Sequence, residues 1–331
     1  MSLLTSIPNL VFPGEIDTLE FSGTAAAALD FTLKVDGEQL LEATFSYSSS
    51  GRVTVQGLAE LVEPFVRDGM LHSLTIEADG SVVKSDVQVL ACNLNNASSA
   101  LEFCHGSFLS VCRVKNTYPG AKEYVSMLLS SAEDMTIDRT WLVDGTIVHS
   151  KATQQLQAGL QTIDVSPASM DGRVLLDYEV RVGMRSCLFQ MCHDTDSDPV
   201  SVAFRNAFGQ LETFHFFGVQ EKEVKPTRSS AVVGGAYKVY RVETIPTWKT
   251  TGRISLLDEV LLAEDLVSSM YAERCSDECP VAITDSDLKP DNSRYGVSYI
   301  SVTWREEKNA RIFSPAYRVK TFDATFDDTF E

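Results

Sequence analysis

The stretch Phe31-Thr32-Leu33-Lys34-Val35, the pair Asp36-Gly37, and then Leu41-Glu42-Ala43-Thr44-Phe45-Ser46-Tyr47 decides the fold class. Apolar and polar residues alternate on both sides of the pair, so each run turns one face to a core and the other to water. Asp-Gly tolerates the positive φ angles that match the twist of two paired strands. The device returns at Asp79-Gly80, between Leu74-Thr75-Ile76 and Val82-Val83. It returns again at Asp144-Gly145, between Trp141-Leu142-Val143 and Ile147-Val148, and Asp171-Gly172 precedes Val174-Leu175-Leu176. Short alternating runs separated by such turns predict tandem β-sandwich-like domains.

Two helices interrupt this pattern. Leu58, Leu61, Val62 and Phe65 have helical spacing, Pro64 keeps that helix short, and Gly69 suits its exit. A second, amphipathic helix is predicted over about 255–273. Ser255 is its candidate N-cap, Asp258 and Glu259 lie in its first turn, and Arg274 lies at its end. Leu256, Val260, Ala263, Val267 and Met270 form its apolar face, widened by Leu257, Leu261 and Leu266. The strand signals Val281-Ala282-Ile283-Thr284 and Val297–Trp304 follow it.

The expected architecture is mainly β with minor α. It comprises an N-terminal β-sandwich-like domain (1–90), a second one (91–195), a C-terminal β-helix-β (α+β) domain (196–318) and a Phe-rich tail (319–331). The polar stretches Asn93–Ser99 and Asp194–Pro199 mark the first two boundaries.

The 331 residues are 44% hydrophobic and 22% charged, which is globular material. The net charge of -18 opposes binding to nucleic acid or to anionic membranes, and no Lys/Arg cluster stands out along the chain. No apolar run is long enough for a membrane helix, and the first residues lack a secretion-signal pattern. Seven cysteines, an odd number, read as reduced thiols of a protein made in a cytosol.

The chemical motifs each fail at a named residue. Asp194, Asp196 and Asp198 have the spacing of a calcium loop, but Pro199 and Arg205 stand where that loop needs Gly and Glu. Asp285 and Asp287 fail in the same way at Lys289. Cys275 and Cys279 are too widely spaced for a CxxC zinc half-site, and Cys187, Cys192 and His193 supply no matching half. None of His72, His105, His149, His193 and His215 lies in a nucleophile motif, and His215 reads as a sheet residue. Gly234-Gly235 lacks the Lys-Ser/Thr of a phosphate loop. No catalytic, cofactor-binding or metal residue is assigned, and no cofactor is expected. A pair of carboxylates for glycan hydrolysis has no sequence signature and stays open.

One segment does suggest an interface. In Phe322-Asp323-Ala324-Thr325-Phe326-Asp327-Asp328-Thr329-Phe330-Glu331, phenylalanines recur every four residues among acidic ones. Phe322, Phe326 and Phe330 then share one face of a strand or a helix. Such a stripe seeks either the chain's own last domain or another subunit.

Three segments together carry a resemblance. They are Val202–Phe214, the helix with Pro280–Ser286 and Tyr299–Arg305, and the Phe-Asp-Asp-Thr-Phe segment. In this order they resemble structural proteins, tail- or baseplate-associated, of tailed phages and prophages of Bacteroides-type bacteria. The resemblance implies a virion component of the tail, baseplate or neck, made in the bacterial cytoplasm and present in several copies. Its expected partners are other tail proteins and copies of itself, with no nucleic acid and no membrane. A carbohydrate- or receptor-binding sandwich facing a host glycan is the alternative, and a tail-associated glycan hydrolase the second alternative.

Overall fold

The computed structural model describes residues 1–306 and 311–313, except 26, 95–98, 171, 194–197 and 291–297. Strands dominate, with three short α-helices among the described residues. The chain divides into two compact units. Unit 1 holds Met1–Asp194, Ala203–Phe214 and Leu256–Met270; unit 2 holds Thr195–Val202, His215–Ser255 and Tyr271–Glu331.

In unit 1 the N-terminal alternation builds two facing sheets. One runs β1 (Ser2–Leu3), β3 (Thr18–Ser22), β6 (Arg52–Gln56). The other runs β2 (Leu10–Val11), β8 (Ser81–Val89), β7 (His72–Ala78), β4 (Ala28–Val35), β5 (Glu38–Ser46). Strand β4 buries Leu29, Phe31, Leu33 and Val35. They share a core with Leu19 and Phe21 of β3, Val53 and Val55 of β6, and Leu58, Val62 and Val66 of helix α1 (Leu58–Val66). Asp36-Gly37 closes the β4–β5 hairpin at φ 52° and 82°, and Asp79-Gly80 closes β7–β8 at 51° and 72°.

The second part of unit 1 repeats the principle. Strands β10 (Tyr124–Leu129) and β13 (Gly159–Asp164) pair. They contribute to one core with the sheet β12 (Thr146–Leu156), β11 (Glu133–Val143), β14 (Val174–Val182), β15 (Arg185–Met191), β9 (Val114–Thr117). Trp141, Tyr178 and Phe189 fill that core; the Tyr178 and Phe189 rings stack 4.7 Å apart. The β11–β12 hairpin turns at Asp144-Gly145 as predicted. Strand β9 joins β15 in parallel and forms the sheet's edge.

A helix that the sequence did not announce, α2 (Ala100–Gly106), follows the polar stretch near residue 95. Ser99 caps it by accepting the Glu102 N–H, and the buried Arg185 donates to its Cys104 carbonyl. Phe103 of α2 packs with Phe12 and Phe208, ring centroids 6.0 and 4.8 Å away. Phe208 is at the turn joining β16 (Val200–Arg205) to β17 (Leu211–Phe216). Asn206 Oδ1 shapes this turn by accepting the N–H groups of Phe208 and Gln210, each at 3.0 Å. Gly209, at φ 69°, lies so close to Gly69 that a Cβ on it would be 2.6 Å from the Gly69 Cα.

The second predicted helix exists but is shorter. Helix α3 spans Leu257–Ser268; its N-cap position is Leu256, so Ser255 does not cap it. Its inner face is Glu259, Val260, Leu262, Ala263 and Leu266, whereas Leu257, Leu261 and Met270 are exposed. Arg274 belongs to a strand instead of the helix end. Because α3 is part of unit 1, the expected β-helix-β domain over 196–318 does not form as one body.

Unit 2 is built on a largely antiparallel succession of strands: β20 (Ala272–Arg274), β21 (Cys279–Lys289), β22 (Ser298–Glu306), β19 (Ala236–Ile254) and β18 (Gln220–Val233), with β23 (Arg311–Phe313) also on β19. Trp304, Ile300 and Val302 of β22 are buried. Asp285 and Asp287 lie along β21.

The two glycine environments at turns allow a direct test. Gly209→Ala should destabilise the protein by about 2–4 kcal/mol, through positive φ and the Gly69 contact together. Gly145→Ala, also at positive φ (76°) but with nothing within 4 Å of the added Cβ, should cost only about 1 kcal/mol. Urea denaturation of both variants decides; equal losses would show that the Gly69–Gly209 approach is not tight.

Candidate interaction surface

Among the described residues no group of three or more His, Cys, Asp or Glu side chains could hold a metal. Asp194 and Asp196 lie outside the described residues, and Asp287 is paired with Lys289 at 2.6 Å. All seven cysteines are thiols. Burial pushes Cys92 up to about 11 and Cys104 up to about 12, which leaves neither as a nucleophilic thiolate at neutral pH. His215 is on β17, its Nδ1 2.7 Å from Ser201 Oγ, and both residues are buried. A pocket beside Ser107, Ser110, Arg113 and Ser186 has a volume of about 60 Å³, far below the several hundred cubic ångströms of sites for small molecules.

The carboxylates that sequence reasoning could not place are, in unit 1, tied to structure. Lys115 on β9 is buried with its Nζ 2.7 Å from Glu123 Oε2, and Glu123 is wholly buried. Burial works against the lysine's charge, but Glu123 and then Glu212 outweigh it and hold the ammonium above the usual lysine range. Glu212 accepts from Ser110 Oγ (2.7 Å) and Asn206 Nδ2 (2.8 Å). Glu259 of α3 accepts from the Asn116 N–H (2.8 Å) and from Asn116 Nδ2 (2.9 Å). Its neighbour Asp258 accepts from the N–H groups of Arg113 and Val114. Burial raises Glu212 and Glu259 above the ordinary carboxylate range, against these hydrogen bonds. Asp265, also on α3, accepts the Ala207 N–H at 2.9 Å, and burial pushes it up to about 7. The helix carboxylates thus act as hydrogen-bond acceptors for an edge strand and a turn.

Unit 2 presents a surface of another kind. Strands β18 and β19 pair from Gln220–Thr250 out to Val233–Ala236, and Gly234-Gly235 turns the chain at φ 61° and 80°. Residues 221–228 and 234–241 are exposed on both strands. This hairpin is a two-stranded arm, and β18 pairs with nothing but β19 among the described residues. The arm's base is pinned by a cation–aromatic stack. Lys222 Nζ is 4.7 Å above the Trp248 ring, Trp248 stacks on Trp304 at 5.7 Å, and the Arg274 guanidinium lies over both. Arg274 is held by Asp277 (2.5 Å) and Glu306 (3.1 Å), which raise it further above the guanidinium's usual range. These two tryptophans are therefore covered and offer no open platform for a sugar ring.

Beyond the base, the register places Val224, Arg228 and Val232 of β18 on the same face as Val242, Val239 and Tyr237 of β19. Val224 is 50% exposed, Val232 54% and Tyr237 84%. The arm also carries Lys225, Arg228, Lys238 and Arg241; the register puts Arg228 on the face of Val224 and Val232 and the other three on the opposite face, where Lys225 pairs with Glu223 at 2.7 Å and Arg241 with Glu243 at 3.4 Å. The arm as a whole went unread, although Gly234-Gly235 was its signal. Phe322, Phe326 and Phe330 lie outside the described residues.

No family model matches the chain, and no curated protein matches it. Among solved structures it is similar, at a TM-score of 0.17 and 10% identity, to a chain from a structural study of host cell surface retention of a 1.5-MDa bacterial ice-binding adhesin. That likeness covers 72% of this chain and 88% of the other. At such a TM-score it carries no argument.

Two substitutions probe the buried carboxylates. Lys115→Met strands a buried charge on Glu123 and should cost about 3–5 kcal/mol, while Lys115→Met with Glu123→Leu should recover at least half of that. A double variant no more stable than the single would rule out charge pairing as the cause. Asp265 responds to pH. Below about pH 4 its carboxyl is protonated in folded and unfolded chains alike. As pH rises from there to about 7, the unfolded chain releases the proton first, so this group makes folding progressively less favourable. Asp265→Asn should therefore gain stability relative to the parent between pH 4 and pH 8, by on the order of 2 kcal/mol. A pH-independent difference in chemical denaturation would contradict it.

Proposed function

We propose that this chain is a structural component of a phage or prophage virion, in the tail, baseplate or neck region, working through protein–protein contacts in a symmetric assembly. The observation that carries this reading is the β18–β19 arm, which holds Val224, Val232, Tyr237 and Val239 in water with no element over them among the described residues. A two-stranded hairpin is at best marginally stable alone, and apolar faces of this kind mark sites that another molecule covers. The segments Val202–Phe214 and Pro280–Ser286, similar in kind to tail structural proteins, support the virion setting, as does the set of unbridged thiols. Acidity favours solubility at the high local concentration of an assembling particle. The partners are then copies of the chain and neighbouring tail proteins.

Native mass spectrometry across a concentration series should show defined oligomers of the full chain. Deleting residues 320–331, which removes Phe322, Phe326 and Phe330, should shift assembly to about tenfold higher concentration while the monomer's thermal unfolding is unchanged. A full chain that stays monomeric throughout would defeat the assembly reading; normal assembly after deletion would remove the phenylalanines from it.

A further inference from the structure

We infer that His72 is a proton-operated clasp: as an imidazolium it ties the β4–β5 turn to residues 67–71 through Asp36 and Asp68, and on losing its proton it lets go of Asp68 and frees that loop. The inference concerns unit 1 and stands apart from the assembly reading.

His72 opens β7, and both of its ring nitrogens meet carboxylates. Nδ1 is 2.6 Å from Asp36 Oδ2, and Nε2 is 2.8 Å from Asp68 Oδ1. A neutral imidazole has one N–H and one lone pair, so it donates to one such oxygen and turns its lone pair on the other. Two contacts of this length require a ring that donates twice, which is the imidazolium. The ring is largely buried, while both carboxylates are half exposed. The charged groups facing the ring are Asp36, from the β4–β5 turn, and Asp68, from the loop after α1, with Arg205 of β16 beside Asp68. Its register partner on β8 is the apolar Val89. Burial works against the ring's charge, but Asp68 and then Asp36 outweigh it and hold His72 above the ordinary histidine range.

The two sides of the clasp are unequal. Asp36 is fixed without the ring: its Oδ1 accepts the Ser73 N–H, and its own N–H donates to the Ser73 carbonyl, each at 2.8 Å. Asp68 Oδ1 is held by the ring and by the Met70 N–H of its own loop, at 2.9 Å. A neutral ring therefore keeps its proton on Nδ1, toward Asp36, and faces Asp68 with the Nε2 lone pair. A carboxylate already half in water turns away from it. What leaves with Asp68 is the loop's docking edge. The Asp68 carbonyl accepts from Arg205 Nη1 at 2.8 Å, the Gly69 carbonyl accepts from Gln210 Nε2 at 2.5 Å, and Gly69 is the residue that Gly209 approaches. The clasp thus governs how residues 67–71 meet the turn between β16 and β17, all inside unit 1. The sign follows from the ring. Its contribution is fully present below the unfolded histidine's value of 6.5 and is lost as pH climbs through the higher folded value. The clasp is shut in mild acid and opens with alkalinity.

The test compares the full-length parent with Asp68→Asn, whose amide accepts the Met70 N–H and donates to a neutral Nε2. By NMR, the His72 ring of the parent should titrate above 6.5, and that of Asp68→Asn below the parent's midpoint. Hydrogen–deuterium exchange is then followed from about pH 6 to about pH 9 and divided by the intrinsic rate at each pH. Residues 67–71 of the parent should lose protection by about tenfold for each pKa unit that loop closure adds to the ring. The same residues of Asp68→Asn should keep constant protection, as should Tyr124–Leu129 of β10 in both proteins. His72→Gln, which has nothing to titrate there, should give a flat profile independently of Asp68. A parent ring that titrates at or below 6.5 overturns the imidazolium. A ring that titrates high while protection of 67–71 stays flat overturns the release. Protection lost from β10 together with the loop reports general unfolding and also overturns the clasp, as does either variant opening with the parent's pH profile.

Discussion

The constraint on which unit 1 depends is the burial of one ammonium among three carboxylates. Lys115 is on β9, the edge of a five-stranded sheet, with Glu123, Glu212 and Glu259 around it. An edge strand must satisfy its outward N–H groups, with another strand, with water or with side chains. Here Asp258 and Glu259 of α3 accept from Arg113, Val114 and Asn116, so a helix distant in sequence takes the place of a further strand. Removing charges from water is costly, and a buried pair is a weak source of net stability. What it supplies is selectivity. Any packing that moved α3 by one turn would leave the N–H groups of Arg113, Val114 and Asn116 without these acceptors and take Glu259 away from Lys115. The Asn206–Glu212 bond and the Asp265–Ala207 bond extend the same logic to the Phe208 turn, which in turn places an aromatic ring against Phe12 and Phe103.

This explains which parts of the fold were legible in the sequence. Asp36-Gly37, Asp79-Gly80 and Asp144-Gly145 are local devices: the two residues and their flanking alternation determine the hairpin without reference to distant chain. The alternation of β4 likewise states which residues face the core. Helix α3 was legible as a helix but not as to its limits or its inner face. Leu257, Leu261 and Met270 look apolar in a row and are exposed, while Glu259 looks like a dipole partner and is buried. The reason is non-local, because Glu259 is held by the backbone of Asn116. Helix α2 has only seven residues, too few for a periodic signal, and is held by the Arg185 side chain at its Cys104 carbonyl.

The arm shows a different limit. Its strands, 14 and 19 residues long, exceed the usual strand length, and Pro226 and Pro246 within them read as breaks. Neither proline is fatal, since Pro226 is on β18, which has one edge open among the described residues, and Pro246 lies in β19 between the stretches paired with β23 and β22.

The two units therefore put one physical property to opposite use. In unit 1 every amphipathic sheet has its apolar face closed by a second sheet or a helix, and even its awkward edge is closed by carboxylates. In unit 2 the cation–aromatic stack of Lys222, Trp248, Arg274 and Trp304 fixes the base of a hairpin whose farther face is left open. A chain able to cap an edge strand with two helix carboxylates is not short of means to cover Val224, Val232 and Tyr237. Their exposure is what a partner with an apolar stripe would complete.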